Sequence, residues 1–449
     1  MGGPAAFNAG TGRIRFLSAN PEAPLYGPRK RRSTRAALSL LLPAALLLSA
    51  LPSPAAAGGP AARLRVKAGP FERRDTPLWI ALDRIPVHLD ADLNLVEVRG
   101  GERVPVPCQV EPGRVSRLYW ILSGKTPAGG ERVFELSTGA APPFPATVTF
   151  RDDGRGLLVS VRGRPVLRYH HAACPPPEGA SARYARSGFI HPLFSPSGAE
   201  LTRIHPPDHL HHMGLWNPFA KTRFEGREVD FWNLGKGRGT VRFDGFEGRT
   251  VGPVFGGFRA RHVHVDLSAP GGGKAALREV WDLRVYDIGP PEKAGFLLDF
   301  TSLLRCASSS PVLLERYRYG GLGFRAAASW NEGDYLTSEG KTRKDGHGTR
   351  ARWCMVYGPT DKGPAGIVFM DHPNNREHPE PLRIWNQRPE IFFNFCPVQK
   401  AEWTIEPGRT YVLKYRLYVY DGSASPGEAE RLWRDFAHPP EVSVEVEPD

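Results

Sequence analysis

The feature that most constrains this chain is its punctuation. Forty-nine glycines and 44 prolines interrupt 449 residues. Proline removes a backbone donor and glycine loses the most conformational freedom on ordering, so both keep regular elements short. Between them lie runs rich in β-branched and aromatic side chains: Leu157–Val161, Glu279–Val285, Phe296–Leu304, Gly366–Met370 and Tyr411–Tyr420. YVLKYRLYVY (411–420) alternates through Val412, Leu417 and Val419 against Lys414, Arg416 and Tyr418, with a one-residue slip near Lys414–Tyr415. That is closer to the strand period than to the helical one. The clear helix signal is Ser425-Pro-Gly-Glu428 leading into AERLWRDF. It has a Ser N-cap, Pro at the first helical position and Glu at the third, which is a capping box. Many short strands and one helix predict an all-β chain of the sandwich or barrel class.

AAPPFP (140–145) marks a boundary within this pattern. Residues 61–142 are expected to form a small β-sandwich and 146–422 a large two-sheet sandwich. Residues 425–449 are read as a C-terminal helix and tail. The large unit is supersandwich-like by analogy with galactose mutarotase-like folds, and such an analogy does not fix function.

Residues 1–57 read as an export segment. Arg29, Lys30, Arg31, Arg32 and Arg35 precede an apolar run from Ala36 to Leu51, and Pro52-Ser-Pro-Ala-Ala-Ala57-Gly58 follows. A basic region, an apolar region and a small-residue site make a secretory signal, cleaved near Ala57, with a secreted or periplasmic product. The alternative is a retained N-terminal anchor; Pro43 and the shortness of the run argue against it. Half of the formal charge of +12 lies in these first 57 residues. The rest is spread without a basic stripe, so nucleic acid is not an expected partner. Cys108, Cys174, Cys306, Cys354 and Cys396 are odd in number, widely spaced and without a CxxC pair. They are read as small buried apolar residues, with two disulfides at most.

Chemistry concentrates in a few polar words. Seven of the 14 histidines fall between His170 and His212, four of them in HPPDHLHHMGLW (205–216). If 208–213 is extended, His209 and His211 share one face and His212 takes the other. A His-x-His pair can hold a divalent metal when a third ligand arrives, here Asp208, Asp230, Glu315 or His372. The same groups can move protons at a sugar without a metal, or simply tie loops together. Asp230, in EGREVDFWN (225–233), sits between apolar neighbours that could raise its pKa; satisfying a turn, or pairing with a neighbouring Arg such as Arg223 or Arg227, is the alternative. Trp216 and Trp232 are candidate platforms for the apolar face of a sugar, or core residues. DHPNNREHP (371–379) follows the buried-type strand GIVFM, and His372, Asn374 and Asn375 offer groups suited to hydroxyls. In ERYRYGGLGFR (315–325) the glycines lack a flanking nucleotide-binding pattern, so a Gly-bent strand is expected. Arg325 is a candidate for a substrate carboxylate or for a structural ion pair. His211, Asp230, His209 and His372 are therefore the candidates for proton transfer. His191, His212, Trp216, Trp232, Arg325, Asn374 and Asn375 are the candidates for substrate binding, and His209, His211 and Asp208 for a metal.

SGFIHPLFSPSG (187–198), DHLHHMGLW (208–216), FEGREVDFWN (224–233) and MDHPNNREHPEP (370–381), in this order, resemble the DUF6807 family over roughly residues 61–422. The resemblance implies a secreted, mostly β protein of a kind often found beside carbohydrate-degrading proteins. Members often carry the label methane oxygenase PmoA. A membrane-embedded oxygenase needs several apolar spans of about 20 residues, and this chain offers one apolar run, so that activity is set aside. Two functions remain. One is an exported enzyme acting on a carbohydrate by hydrolysis, elimination or epimerisation. The other is a non-catalytic carbohydrate-binding or cell-envelope protein. The density of histidines favours the enzyme.

Overall fold

The computed structural model describes residues 60–87, 92–139, 142–289 and 295–446. The segment read as an export signal, with its expected cleavage site, and Ala140 and Ala141 of the proline-rich junction lie outside the described residues. The fold is all-β with one short α-helix, as the punctuation predicts.

Ala62–Lys67, Arg73–Ala81, Leu93–Arg99, Glu102–Val106, Cys108–Glu111, Arg117–Thr126 and Glu131–Thr138 form two small sheets. Leu64, Val66, Leu78, Ile80, Leu95, Leu118, Trp120, Phe134 and Leu136 fill the core between them. The tail is more than an appendage. Glu441–Val446 adds an edge strand to the five-stranded sheet, pairing antiparallel with Ala62–Lys67 from Ala62–Val446 to Lys67–Glu441. The preceding helix, Pro426–Ala437, starts as its cap signal demands: Ser425 Oγ accepts from the Glu428 backbone N–H at 3.1 Å.

Two eight-stranded sheets make the large sandwich. One runs in the order Leu382–Ile384, Phe392–Phe395, Gly323–Arg325, Leu215–Trp216, Phe189–Leu193, Arg164–His170, Gly156–Val161, Val148–Asp152. The other runs Gly239–Thr250, Phe255–Asp266, Lys274–Tyr286, Phe296–Cys306, Tyr411–Asp421, Gly363–Asp371, Trp353–Thr360, Asp334–Thr337. Both contribute to one core: Val159, Ile190, Leu215, Phe324 and Phe393 meet Phe258, Trp281, Phe300, Ile367 and Leu417. Every run read as a strand lies within one of these strands.

The slip expected near Lys414–Tyr415 is absent. Tyr411–Asp421 pairs without interruption to Phe296–Cys306, from Tyr411–Leu304 to Val419–Phe296. Leu413, Tyr415, Leu417 and Val419 point inward, and Val412 is 37% exposed on the other face. The misreading came from assigning Val412 to the core because it is apolar. A second departure is polar. In Phe255–Asp266 the inward positions include His262 and His264. His264 Nε2 meets Glu279 at 2.9 Å, and Asn217 and Ser302 donate to Glu279 at 2.7 and 2.6 Å. Burial favours the neutral acid, yet the bonds from His264 and Ser302 and the charges of His264 and His262 together outweigh it and hold Glu279 at about 2. These groups bond to one another across the interior and stiffen it.

Candidate functional site

Strand alternation sorts the first large sheet into two faces. Leu215, Phe324, Phe393 and Ile190 enter the main core. Their neighbours Trp216, Phe392 and Phe189 point the other way and join Met213, Ala220 and Trp232 in a separate aromatic cluster. Gly323 faces this cluster, where a Cβ would lie 2.8 Å from the Trp232 ring, so only glycine admits the indole there. Over this outer face opens a cavity of about 220 Å³. It is lined by His209, His211, His212, Trp232, Asn233, Arg318, Tyr319, Arg383, Trp385 and Phe392.

The histidine segment reaches the cavity as a folded loop, so the extended reading of 208–213 is corrected. His209 N–H donates to Pro206 O, His212 N–H to His209 O, and His205 N–H to His212 O, all at 2.9–3.0 Å. His205 holds a left-handed φ of 47°, and its Nδ1 meets Leu210 O at 2.7 Å. Gly214, at φ 67°, passes so close to the next strand that a Cβ would stand 2.3 Å from Ile190 O. The loop therefore puts all three imidazoles on one side. His209 and His212 stack with centroids 4.7 Å apart, and His211 stands edge-on to both at 5.4 and 4.8 Å.

His212 is buried and its imidazole is held well below the usual range, by burial and then by the charges of His211 and Arg325. His211 is lowered to about 4, chiefly by burial, with His209 adding to the effect. No described residue hydrogen-bonds either of its ring nitrogens. It is a neutral imidazole with free nitrogens on a cavity wall.

The carboxylates nearest these rings are already engaged. Asp208 accepts from His209 Nδ1 at 2.8 Å and from Arg325 Nη2 at 2.8 Å. Those bonds outweigh burial and keep it below the ordinary carboxylate range. Asp208 is clamped by Arg325 and two of the rings are stacked, so the candidate metal set of His209, His211 and Asp208 is not gathered on one point. Among the described residues no group of three His, Cys, Asp or Glu side chains is arranged to hold a metal ion. The cysteines are all free.

Asp230 is 2% exposed and saturated. It accepts from the backbone N–H of Trp232 and Asn233, from Asn233 Nδ2 at 2.8 Å and from Lys236 Nζ at 2.9 Å. It is the knot that holds Trp232 and Asn233 at the cavity wall, and it does not itself line that wall. The expected choice between a poised acid and a turn anchor falls to the anchor. Arg325, fully buried, spends its guanidinium on Asp208 and Glu390 and lies 4.9 Å over the Trp385 ring. It is an internal ion pair and does not face a substrate. Trp216, at 0% exposure, packs 4.9 Å behind Trp232 and offers no face to a ligand. Trp232 reaches the cavity with the little surface it has.

The 371–379 segment does not join the cavity. Its strand, Gly363–Asp371, belongs to the other large sheet, and the loop folds against the helix and Tyr411–Asp421. His372 sits 5.0 Å from the Phe436 ring and accepts the Asn374 N–H. Asn375 is buried, bonding Asp371 and both the N–H and C=O of Lys414. His191 is also elsewhere, with Nδ1 3.0 Å from Thr202 Oγ1.

What the sequence reading missed is the rest of the lining: Asn233, Arg318, Tyr319, Arg383, Trp385 and Phe392. Tyr319 donates to Asn233 Oδ1 at 3.1 Å, and burial raises its phenol well above the usual range. Arg318 lies 5.6 Å from the Tyr319 ring centroid. The Arg-Tyr alternation just before Gly320 was visible, as was Trp385 in a polar, Pro-bearing loop. Neither carries a motif.

The model of a family of unknown function, DUF6807, matches residues 156–434. No curated protein matches the chain by sequence. Similar solved structures include an alpha-mannosidase from Enterococcus faecalis V583, 8% identical with a TM-score of 0.43, covering 86% of this chain and 46% of that one. They also include the heparan sulfate lyase HepC from Pedobacter heparinus, 12% identical with a TM-score of 0.29, covering 64% of this chain and 38% of that one. A galactose mutarotase related enzyme from Lactobacillus acidophilus is 9% identical with a TM-score of 0.25, covering 62% of this chain and 99% of that one. The chain thus spans less than half the length of the mannosidase and the lyase.

Proposed function

This chain belongs to the DUF6807 family, and from that premise we propose that it is an exported carbohydrate-active enzyme that removes a proton from a sugar carbon. The signal segment, cleaved near Ala57, supplies the export. His211 is the base. The observation that carries this reading is the state of that side chain: a neutral ring, lowered to about 4 by burial, with both nitrogens unengaged by described residues on the wall of an aromatic-lined cavity. A base kept neutral near pH 7 is in its working form without a partner to activate it.

The rest of the wall suits the same task. Trp385 and Tyr319 offer apolar faces to a sugar, and Asn233 offers an amide to its hydroxyls. The Tyr319 phenol, kept protonated by burial, can return a proton to a leaving or rearranged oxygen. Hydrolysis by paired carboxylates fits less well, because that chemistry needs two acid groups facing the scissile bond. Asp208 and Asp230 are both spent on hydrogen bonds to neighbouring side chains, and neither lines the cavity. Elimination and epimerisation each begin with proton removal from carbon and fit the imidazole.

The test is incubation in D₂O with a panel of oligosaccharides, reading deuterium uptake at carbon and chain cleavage by NMR and mass spectrometry. The wild type is expected to exchange or cleave one class. His211→Gln is expected to bind it still, with turnover reduced roughly 10²–10⁴-fold. Sugar binding by the wild type without exchange or cleavage would assign the site to a non-catalytic binding protein.

A further inference from the structure

The cavity does not end at Tyr319. Arg318 lines both it and an adjoining open depression of about 480 Å³, whose wall also includes Arg316, Tyr317, His347, Gly348 and Lys400. Together the two spaces reach the roughly 300–1,000 Å³ of ordinary ligand sites. Arg383, on the cavity wall, donates to His347 Nε2 at 3.1 Å and so connects them.

The cations of this surface lie together without a carboxylate partner. Many other guanidinium groups are matched: Arg325 and Arg203 with Asp208 and Glu390, Arg223 with Glu315, Arg416 with Asp299. Among the described residues, no carboxylate forms an ion pair with Arg316, Arg318, Arg383 or Lys400. Glu315, next in sequence to Arg316, is taken by Lys221 and Arg223. Arg383 is half-buried, and its guanidinium is lowered by burial and by the charge of Arg318. Gathering like charges at a partly buried wall costs free energy that solvent only partly offsets. An anion seated between them relieves it.

We infer that the ligand of this site is an acidic glycan, with Arg318 and Arg383 holding a carboxylate or sulfate group in the cavity and Arg316 and Lys400 holding further negative groups along the depression. The inference rests on the reading of the cavity as a sugar site and names the class of sugar. Guanidinium is the suited cation, since its planar fork meets carboxylate and sulfate oxygens in pairs. The aromatic rings beneath Arg318 keep it over the cavity mouth.

The experiment is calorimetric binding to the full mature chain with four probes. They are a hexuronate oligosaccharide, the same oligosaccharide with its carboxylates reduced to alcohols, a sulfated oligosaccharide lacking uronate, and a neutral glucan. Each is measured at low and high salt, for the wild type, Arg318→Gln, Arg383→Gln and the double variant Arg316→Gln/Lys400→Gln. Melting curves establish that each variant folds; the three exposed side chains carry the result if Arg383→Gln does not. The expected result is binding of an acidic probe that weakens with salt, falls roughly tenfold or more on loss of Arg318, and is lost on carboxylate reduction. A uronate that outbinds the sulfated probe identifies carboxylate as the recognised group, and the reverse order identifies sulfate. Equal affinity for the reduced or neutral probe, or unchanged affinity in the Arg318 variant, overturns the inference and leaves a neutral-sugar site intact. Acidic binding without turnover would instead preserve the inference and remove the proposed chemistry.

Discussion

His211 shows how much one side chain owes to a backbone it does not belong to. The loop that carries it closes on Gly214, whose φ of 67° and 2.3 Å clearance to Ile190 O leave no room for a Cβ. Gly214→Ala is therefore expected to cost on the order of 2–4 kcal/mol, through the left-handed conformation and the clash together. A denaturant midpoint unchanged from wild type would mean that the loop is not held as described. The sequence showed the histidines and this glycine as one polar word, because spacing within a loop is local. It could not show that His209 and His212 stack, that Asp208 belongs to Arg325, or that Asp230 is consumed by Trp232, Asn233 and Lys236. Those facts depend on where a chain folds back, and residue type alone left acid, ligand and anchor equally open.

Elements were legible wherever composition or a cap marked them. The strands over 157–161, 279–285, 296–304, 366–370 and 411–420 follow from their β-branched and aromatic side chains, the last also from alternation, and the helix follows from its Ser425 cap. The edge strand Glu441–Val446 was passed over although EVSVEV alternates, because its partner lies some 380 residues earlier and both faces are partly polar. The helix before it has a second duty. Asp435, nearly buried, accepts from Arg73 Nη1 at 3.0 Å, Thr76 Oγ1 at 3.1 Å and Arg431 at 2.9 Å. It ties the helix to a strand of the small sheets. Asp435→Ala strands the buried Arg73 guanidinium and is expected to cost about 3–5 kcal/mol in chemical denaturation. A loss below about 1 kcal/mol would show that Arg73 finds another acceptor.

At the scale of the whole molecule, two large antiparallel sheets share one core, and the outer face of one of them is lined with aromatics and roofed by loops. The all-β class was readable from punctuation. The rest of the cavity's lining was not, because Arg318, Tyr319, Arg383 and Trp385 lie over 100 residues beyond the histidines and meet them only through the fold. The 371–379 word was placed with the site because its composition matched; the topology sends it to the other sheet. The central claim is that His211 is a half-buried, neutral base. A base works only when deprotonated, and burial lowers this one from the ordinary 6.5 to about 4. The direct measurement is kcat/KM against pH for the wild type and His211→Gln on the glycan that proves to be turned over. The account predicts a wild-type rate that is level through neutrality and falls only as pH drops toward 4, with the variant lower by roughly 10²–10⁴ across the level region and the gap closing on the acid limb. Full turnover in the variant, or a wild-type acid limb near 6.5, would contradict it.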